Sequence, residues 1–292
     1  MIDVKFHCDG KNHFSKGHLV RAFTYTDYSI QMHNHEFYEV NIVLSGTGTH
    51  CIENGRFPVK RGDVFVIPPT VAHAYMNTEG LDVYHILLQK SFVDRNKAET
   101  EKVKGFLQLT EIEPFLRGNF FNAFFLHLNQ LQLMQLKTEL DFIDDEGMFS
   151  WSEHSFMKYH TVWKILYWLA SLLAEQISAD MPLPEKKYEM QIIRVLEYIH
   201  KNYSEKITIE SLCRMAFLSR STFLRSFKAV CGMSPIEYLN NYRCKKAFEL
   251  FNSNDYSKTE IAHSCGFYDL SHMERMLKNT GKTIAKEKYK ST

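Results

Sequence analysis

A helical pattern that occurs twice in the last third of the chain constrains the fold more than any other feature. In the first copy, Thr208 can cap a short helix, and after a break at Phe217 a second helix begins behind Ser219. In the second copy, one helix begins at Lys258 and the next at Asp269, which lies 50 residues after Ser219. Two short helices joined by a tight turn form a helix-turn-helix. The sequence therefore predicts two such units in an all-α region.

Matched apolar and glycine positions support this repeat. A longer helix is expected to join the two units from Ser234-Pro235, because proline is favoured in the first turn of a helix. Apolar residues four apart on one helix face usually pack inward, so we expect those of both copies to form the core. The matched pairs are Phe223 with Met273, Phe227 with Leu277, and Gly232 with Gly281.

Charge divides the chain at the same place. Residues 186–292 contain 19 Lys and Arg against 11 Asp and Glu, whereas residues 1–185 contain 16 against 23. The formal net charge of +1 conceals this asymmetry. Basic side chains that neutralise phosphates release counterions and so supply affinity for nucleic acid. The balance favours a polyanion as the partner of the C-terminal region alone.

The remainder of the chain has a strand-rich part and a helical part. Short β-branched or aromatic runs such as VNIVLSG and LDVYHILLQ lie before residue 90, and Asn54-Gly55 predicts a hairpin turn. Residues 120–178 place large apolar side chains three and four apart, which predicts helices. Two prolines in residues 180–187 indicate a linker. We predict domains at 1–90, 91–180 and 186–292.

Several protein classes are excluded at this stage. We find no run of about 18 apolar residues that would predict a membrane span, and the N-terminus lacks the apolar core of a secretory signal. The six cysteines form no CxxC pair and are widely spaced, which is typical of free thiols. We expect a cytoplasmic protein with no membrane partner.

The second helical copy resembles the AraC/XylS family of transcriptional regulators. Its sequence, TEIAHSCGFYDLSHMERMLKNTGKTI, shares with the family pattern Ile261, Ala262, Gly266, Phe267, Asp269, Ser271, Arg275, Lys278, Gly281 and Thr283. It departs from the pattern at Met273 and Leu277, where aromatic residues are usual, and at Ile284, where proline is usual. The resemblance covers residues 186–292 and implies sequence-specific binding to double-stranded DNA.

The resemblance also implies which side chains reach the DNA. Arginine can form two hydrogen bonds with guanine, so Arg225 and Arg275 are the strongest candidates for base recognition. Lys228 and Lys278 are expected near phosphates, where they position the protein without reading sequence. The full set of predicted DNA-binding residues is Arg220, Ser221, Thr222, Leu224, Arg225, Lys228, Ser271, His272, Arg275 and Lys278.

A second motif lies in the strand-rich region and resembles the double motif of cupin domains. It comprises His33, His35, Glu39 and Gly46, followed by Gly62, Pro68, His73 and Asn77, with Thr70 where glycine is usual. Imidazoles and a carboxylate suit Zn, Ni, Fe or Mn, so His33, His35, Glu39 and His73 form a candidate metal site.

Two other interpretations of this motif remain open. Regulatory cupins of AraC-like proteins bind a small molecule, commonly a sugar, without a metal, so no cofactor is expected in that case. The effector would then contact His33, His35, Glu39, His50, His73, Tyr75 and His85, with Tyr84 if its side chain points inward. The third interpretation is that these side chains only form hydrogen bonds within the barrel.

Together these patterns predict an α+β multidomain protein. It would contain a cupin-like β-barrel, a helical segment that forms a homodimer through residues 120–178, and a double helix-turn-helix domain. Trp163 and Trp168 are expected at the dimer contact, and residues 180–187 as the hinge. We predict a transcription regulator, not an enzyme, controlled by a small molecule of the carbohydrate class, with RNA polymerase as a further candidate partner. The alternatives are a metal-dependent cupin enzyme fused to a DNA-binding domain and a ligand-independent DNA binder.

Overall fold

A computed structural model describes residues 4–14, 17–52, 55–100, 102–119, 126–144, 155–179, 188–253 and 256–279. The chain divides into two compact units, residues 2–181 and residues 182–292. The predicted linker and hinge at 180–187 lie outside the described residues, as do Gly281, Thr283 and Ile284. Within the described part of the chain, no helix is both long enough and apolar enough to cross a membrane.

The N-terminal unit is built on one sheet of eight strands in the order β1-β3-β7-β4-β6-β8, with β2 paired to β7 and β5 paired to β4. β4 and β7 are long, and shifts of register between Val43 and Thr49 bend them. The strands are β1 (Phe6–Cys8), β2 (Val20–Tyr25), β3 (Ile30–His35), β4 (Tyr38–Ile52), β5 (Gly55–Lys60), β6 (Asp63–Ile67), β7 (His73–Leu88) and β8 (Leu126–His127).

The bend folds the sheet over itself. One half of the β4–β7 pair carries β2, β6 and β8, and the other half carries β1, β3 and β5. Side chains of the two halves meet, since the Asn41 amide nitrogen donates a hydrogen bond of 3.2 Å to the Tyr75 hydroxyl. The cupin-like fold is confirmed, but the closed barrel was wrong. The described residues form a folded, open sheet whose outermost strands, β1 and β8, are not paired with each other.

The hairpin between β4 and β5 is present, although its turn is not at Asn54-Gly55. Ile52 pairs with Gly55, which is therefore the first residue of β5. Asn54 itself lies outside the described residues.

Helices cover the sheet of this unit. They are α1 (Gly10–His13), α2 (Lys90–Asp94), α3 (Lys97–Thr100), a π-helical turn (Gln108–Ile112), α4 (Glu113–Asn119), α5 (Gln130–Ile143) and α6 (Ser155–Ala179). The Tyr84 hydroxyl of β7 donates a 2.8 Å hydrogen bond to the Leu140 carbonyl of α5. The prediction of uninterrupted helix from residue 120 was wrong at Leu126 and His127, because these residues pair with β6.

The C-terminal unit is helical, and its caps lie where local sequence places them. Its helices are α7 (Glu189–Asn202), α8 (Ile209–Ala216), α9 (Arg220–Cys231), α10 (Pro235–Ser253), α11 (Lys258–Ser264) and α12 (Leu270–Asn279). The side chains of Thr208, Ser219 and Ser257 accept hydrogen bonds from the first turns of α8, α9 and α11. Phe223, Phe227, Met273 and Leu277 are all buried, as predicted for the core.

Candidate functional sites

The strands of the N-terminal unit bring the predicted effector residues onto one inner face. Directly paired residues share a face of a sheet, and the pairs are His33 with His73, His50 with Tyr75, and Asn41 with His85. The structure therefore gathers the seven predicted residues, all of them buried: His33, His35, Glu39, His50, His73, Tyr75 and His85. Tyr84 points to the opposite face because side chains alternate along a strand, so the condition for its contribution is not met.

Two backbone positions of the motif hold this arrangement. Gly62 has a φ of +93°, and a Cβ there would lie 2.3 Å from the Leu128 carbonyl oxygen. Thr70, which stands where glycine is usual in the motif, has a φ of 70° in the left-handed region that favours glycine. Its amide donates a hydrogen bond of 2.8 Å to the His35 carbonyl, which ties the turn to β3.

Glu39 is the centre of the inner cluster. Its Oε1 accepts a hydrogen bond of 2.6 Å from Nδ1 of His85, and its Oε2 lies 3.0 Å from Nε2 of His35 and 3.3 Å from Nε2 of His73. Burial raises the pKa of Glu39, but the contacts with these three histidines outweigh burial and hold the pKa well below its ordinary value. Glu39 is therefore an ionised carboxylate with almost no exposure to solvent.

The opposite ring nitrogens of the histidines are fixed by the backbone. Nδ1 of His33 lies 2.9 Å from the Gln31 carbonyl, and Nδ1 of His35 lies 2.7 Å from the Phe37 carbonyl. A carbonyl only accepts, so Nδ1 carries a proton in each case, and in the neutral ring Nε2 presents a lone pair. Burial is the main reason that the pKa of His33 falls to about 4, which keeps this ring neutral.

This geometry suits a bound cation. The Nε2 atoms of His35 and His73 are close to Glu39 Oε2 but make no hydrogen bond of acceptable angle. A lone pair facing a carboxylate is unfavourable unless a proton or a metal ion lies between them. One ligand atom each from His33, Glu39 and His73 lies within 4.8 Å of the others. The donor set therefore fits a divalent transition metal, with His35 beside it.

The structure adds two residues that the sequence analysis did not select. Asn41 is fully buried on the same face, with its Oδ1 lacking a hydrogen-bond partner among the described residues. Arg117 is also fully buried, and its guanidinium carbon lies 4.9 Å from the ring centroid of Phe65. Asn41 could have been found from strand alternation with Glu39, whereas no local signal marks Arg117.

In the first helix-turn-helix, the predicted DNA-binding side chains lie at or near the surface of α9. Ser221, Arg225 and Lys228 are exposed, and Thr222 and Leu224 are half-buried. Arg220 is exposed and forms an ion pair with Glu210 of α8. Thr222 lies at the helix cap, where its hydroxyl contacts Ser219 Oγ at 2.9 Å.

The second unit has the same arrangement on α12. Ser271, Arg275 and Lys278 are exposed, and His272 is half-buried with its ring 5.6 Å from that of Phe267. The His272 amide donates a hydrogen bond of 2.7 Å to Asp269, which thereby caps α12. Arg225 and Arg275 thus occupy corresponding exposed positions on the second helix of each unit.

Comparisons with known families match both units. A model of the AraC-like ligand binding domain matches residues 15–127, and a model of a helix-turn-helix domain matches residues 212–285. The first range contains the inner cluster around Glu39. The second contains α9 and α12 with all of the predicted DNA-binding residues.

Individual relatives are similar over most of the chain. The HTH-type transcriptional activator RhaS of Escherichia fergusonii is 25% identical over 250 residues, which are 84% of this chain and 82% of the relative. The uncharacterized HTH-type transcriptional regulator YdeC of Bacillus subtilis is 28% identical over 249 residues, which are 83% of this chain and 80% of the relative. A crystal structure of the DNA-binding domain of AdpA in complex with a target DNA is 28% identical, covers 32% of this chain and 85% of that chain, and gives a TM-score of 0.31.

Proposed function

This chain belongs to the AraC family of DNA-binding transcription regulators, and we propose that a carbohydrate bound among the inner residues of the N-terminal unit controls it. The observation that carries this proposal is the set of buried polar atoms without hydrogen-bond partners among the described residues. They include Nε2 of His85, both ring nitrogens of His50 and Oδ1 of Asn41. Buried polar groups are rarely left unpaired, so a ligand with several hydroxyl groups is the partner that suits them.

Hydroxyl groups match this set because each one both donates and accepts. A hydroxyl can donate to the lone pair of an imidazole or to the Glu39 carboxylate and accept from the Asn41 or Tyr75 side chains. Ligand binding changes the regulator only if one state of the protein binds the ligand better than another. We propose that this difference alters DNA binding, with residues 180–187 as the hinge.

A metal-containing pocket is the second candidate, because His33, Glu39 and His73 form a compact donor set. A bound divalent ion would supply positive charge that polarises a ligand oxygen.

We propose that the chain is not an enzyme and needs no cofactor, since its relatives carry the names of transcription regulators. Metal analysis of protein purified without a nickel column distinguishes a metal-free sensor from a metal-dependent enzyme. The same analysis is repeated on His33→Ala and His73→Ala. Loss of a stoichiometric metal with DNA control intact would favour a metal-dependent enzyme.

A thermal-shift screen tests the sensor itself. A ligand that binds only the folded state stabilises it by RT ln(1+[L]/Kd), about 2.7 kcal/mol at a concentration of 100 Kd. We expect carbohydrates among the stabilising compounds, and the same compounds should change affinity for DNA. A ligand-independent DNA binder would show neither response.

For the DNA contact, we propose that α9 and α12 enter successive major grooves of one duplex. Residues 120–178 would form a homodimer, so four helix-turn-helix units would read a repeated operator, and RNA polymerase would be the partner in activation. Binding should weaken steeply with salt, because phosphate contacts release counterions. Anisotropy titrations at several salt concentrations test this, and a flat dependence would contradict it. Sedimentation of the full chain tests the dimer.

A further inference from the structure

Arg117 of α4 is a fully buried cation beside the inner cluster. Its Nη2 donates a hydrogen bond of 2.6 Å to the Val66 carbonyl. Its Nε lies 3.2 Å from Oε1 of Glu113, at an angle that makes no hydrogen bond. These are the polar contacts that the described residues provide. A guanidinium carries five N–H donors, so most of them are left without an acceptor.

The unpaired N–H groups of Arg117 need a hydrogen-bond acceptor. Within the described part of the chain, Nε and Nη1 of Arg117 have no hydrogen-bond acceptor. Both nitrogen atoms are also buried from water. An arginine that is buried without full compensation strongly destabilises a protein. Arginine is also the side chain best suited to bind carboxylate or phosphate groups, because its planar fork forms two parallel hydrogen bonds.

Arg117 lies next to the residues proposed to bind the effector. Its guanidinium carbon is 4.9 Å from the ring centroid of Phe65, and the His50 ring is 4.6 Å from the same centroid. Phe65 pairs with Asn41 across β4 and β6, so it belongs to the inner face. Both side chains therefore contact the same Phe65 ring. Burial, followed by the charge of Arg117, holds the pKa of His50 well below its ordinary value, so this ring is neutral.

The inner face thus has two chemically different ends. One end has the ionised Glu39 with its histidines, which suit hydroxyl groups. The other end has Arg117 and His50, whose unpaired nitrogens suit an anion. A neutral sugar would leave the buried guanidinium unpaired, whereas an acidic ligand would satisfy both ends.

We propose that the effector is a hydroxylated anion, with its carboxylate or phosphate group bound by Arg117 and His50 and its hydroxyl groups directed to Glu39 and the histidines. This inference rests on the proposed function, because it specifies the ligand of the same site. Glu113 would compete with that anion, since its Oε1 lies 3.2 Å from Nε of Arg117. Burial raises the pKa of Glu113 to about 7, so a neutral form is available when an anion binds.

The test measures thermal shifts of the full chain with matched pairs of probes. The pairs are D-galacturonate with D-galactose, and D-glucuronate with D-glucose, and D-glucose 6-phosphate distinguishes phosphate from carboxylate. Each probe is also added to a DNA-binding titration. We expect at least one anionic probe to raise the melting temperature and to change DNA affinity, with a much smaller effect from its neutral partner.

Variants assign the effect to Arg117. Arg117→Gln should weaken binding of the anionic probe by tenfold or more, since a hydrogen bond to a charged group is lost. Arg56→Gln is the matched control, because Arg56 lies on β5 of the same unit but is exposed. If Arg117→Gln does not fold, the Glu113→Gln variant tests the same inference. Removal of the competing carboxylate should strengthen binding of the anion severalfold.

Each remaining outcome overturns the inference in a recognisable way. Neutral probes that stabilise the chain as well as their acidic partners would contradict the anion site and leave the proposed sensor intact. Anion binding that persists in Arg117→Gln, or that weakens in Glu113→Gln, would also contradict it. If no probe shifts the melting temperature or changes DNA affinity, both the inference and the proposed carbohydrate sensor are wrong.

Discussion

In the N-terminal unit the functional candidates are buried, whereas in the C-terminal unit they face solvent. Glu39 and its histidines are at most a few per cent exposed, and Arg117 is not exposed at all. Arg225 and Arg275 are exposed on α9 and α12. Charge inside a protein must be compensated by neighbours or by a ligand, whereas charge at the surface is compensated by water. The first unit is therefore suited to enclose a small partner, and the second to bind a large one.

The largest effect that tests this comparison is expected from Glu39→Gln. Loss of one partner from a buried ionic network costs about 3–5 kcal/mol, because the remaining groups stay buried without compensation. Thermal unfolding should show a lower transition for the N-terminal unit and an unchanged transition for the C-terminal unit. Glu36→Gln is the control, since the Glu36 side chain is 64% exposed three residues away. Equal effects of the two substitutions would show that the Glu39 network contributes little.

The second test uses the pH dependence of Glu113. Burial raises its pKa to about 7 from an ordinary value of 4.5, so the folded chain keeps a proton that the unfolded chain releases. The stabilisation linked to that proton is complete below pH 4.5 and is lost as the pH rises to about 7. The total is about 3 kcal/mol. Relative to the wild type, Glu113→Gln should therefore gain stability between pH 4.5 and pH 7.

Denaturant unfolding at several pH values measures this difference directly. Glu99→Gln serves as the control, because the Glu99 side chain is 68% exposed. Its stability relative to the wild type should stay constant over the same range. A constant difference for Glu113→Gln as well would mean that Glu113 is ionised throughout, with Arg117 as its permanent partner.

The third test concerns the exposed unit. Arg225→Ala and Arg275→Ala should each cost about 1–3 kcal/mol of discrimination between specific and nonspecific DNA, since a base contact is lost. The melting temperature should not change, because neither side chain is buried. Arg194→Ala, an exposed arginine of α7, is the control. A uniform loss of affinity for all sequences would identify the two arginines as phosphate contacts.

The two units also differ in how far their sequences predict them. The helix-turn-helix units depend on caps and apolar spacing within a few residues, so Thr208, Ser219 and Phe223 could be placed correctly from the sequence. The motif histidines of the N-terminal unit could also be selected, because the spacing of the motif is a local feature of the sequence. β8 could not be predicted, because two residues become a strand only by pairing with β6.

Arg117 could not be predicted for a related reason. It lies in a short helix whose sequence shows nothing that distinguishes an inward arginine from an exposed one. Its burial follows from the packing of α4 against β6, which joins residues about 50 apart in sequence. Tyr84 is a different case, since strand alternation with His85 places it on the outer face. A local rule therefore settles the condition that the sequence analysis left open for Tyr84.

The smallest expected effect concerns a position where the C-terminal unit departs from its own pattern. Phe217 ends α8 with a φ of 54° and is 89% exposed, whereas the corresponding turn of the second unit has Gly266 with a φ of +75°. A left-handed conformation costs a residue with a Cβ about 1–2 kcal/mol. Glycine avoids that cost but loses about 0.5–1 kcal/mol of backbone entropy. Phe217→Gly should therefore raise stability by up to about 1 kcal/mol.

A melting temperature a few degrees higher for the C-terminal unit, with unchanged affinity for DNA, is the expected result. Tyr268→Gly is the matched control, because Tyr268 is an aromatic residue of the second turn that is 86% exposed and has no positive φ. That substitution should give no gain. A lower melting temperature for Phe217→Gly would mean that the exposed ring contributes to folding, and a loss of DNA affinity would mean that it contacts the duplex. Only the loss of DNA affinity would extend the functional surface of this unit beyond the polar side chains of α9 and α12.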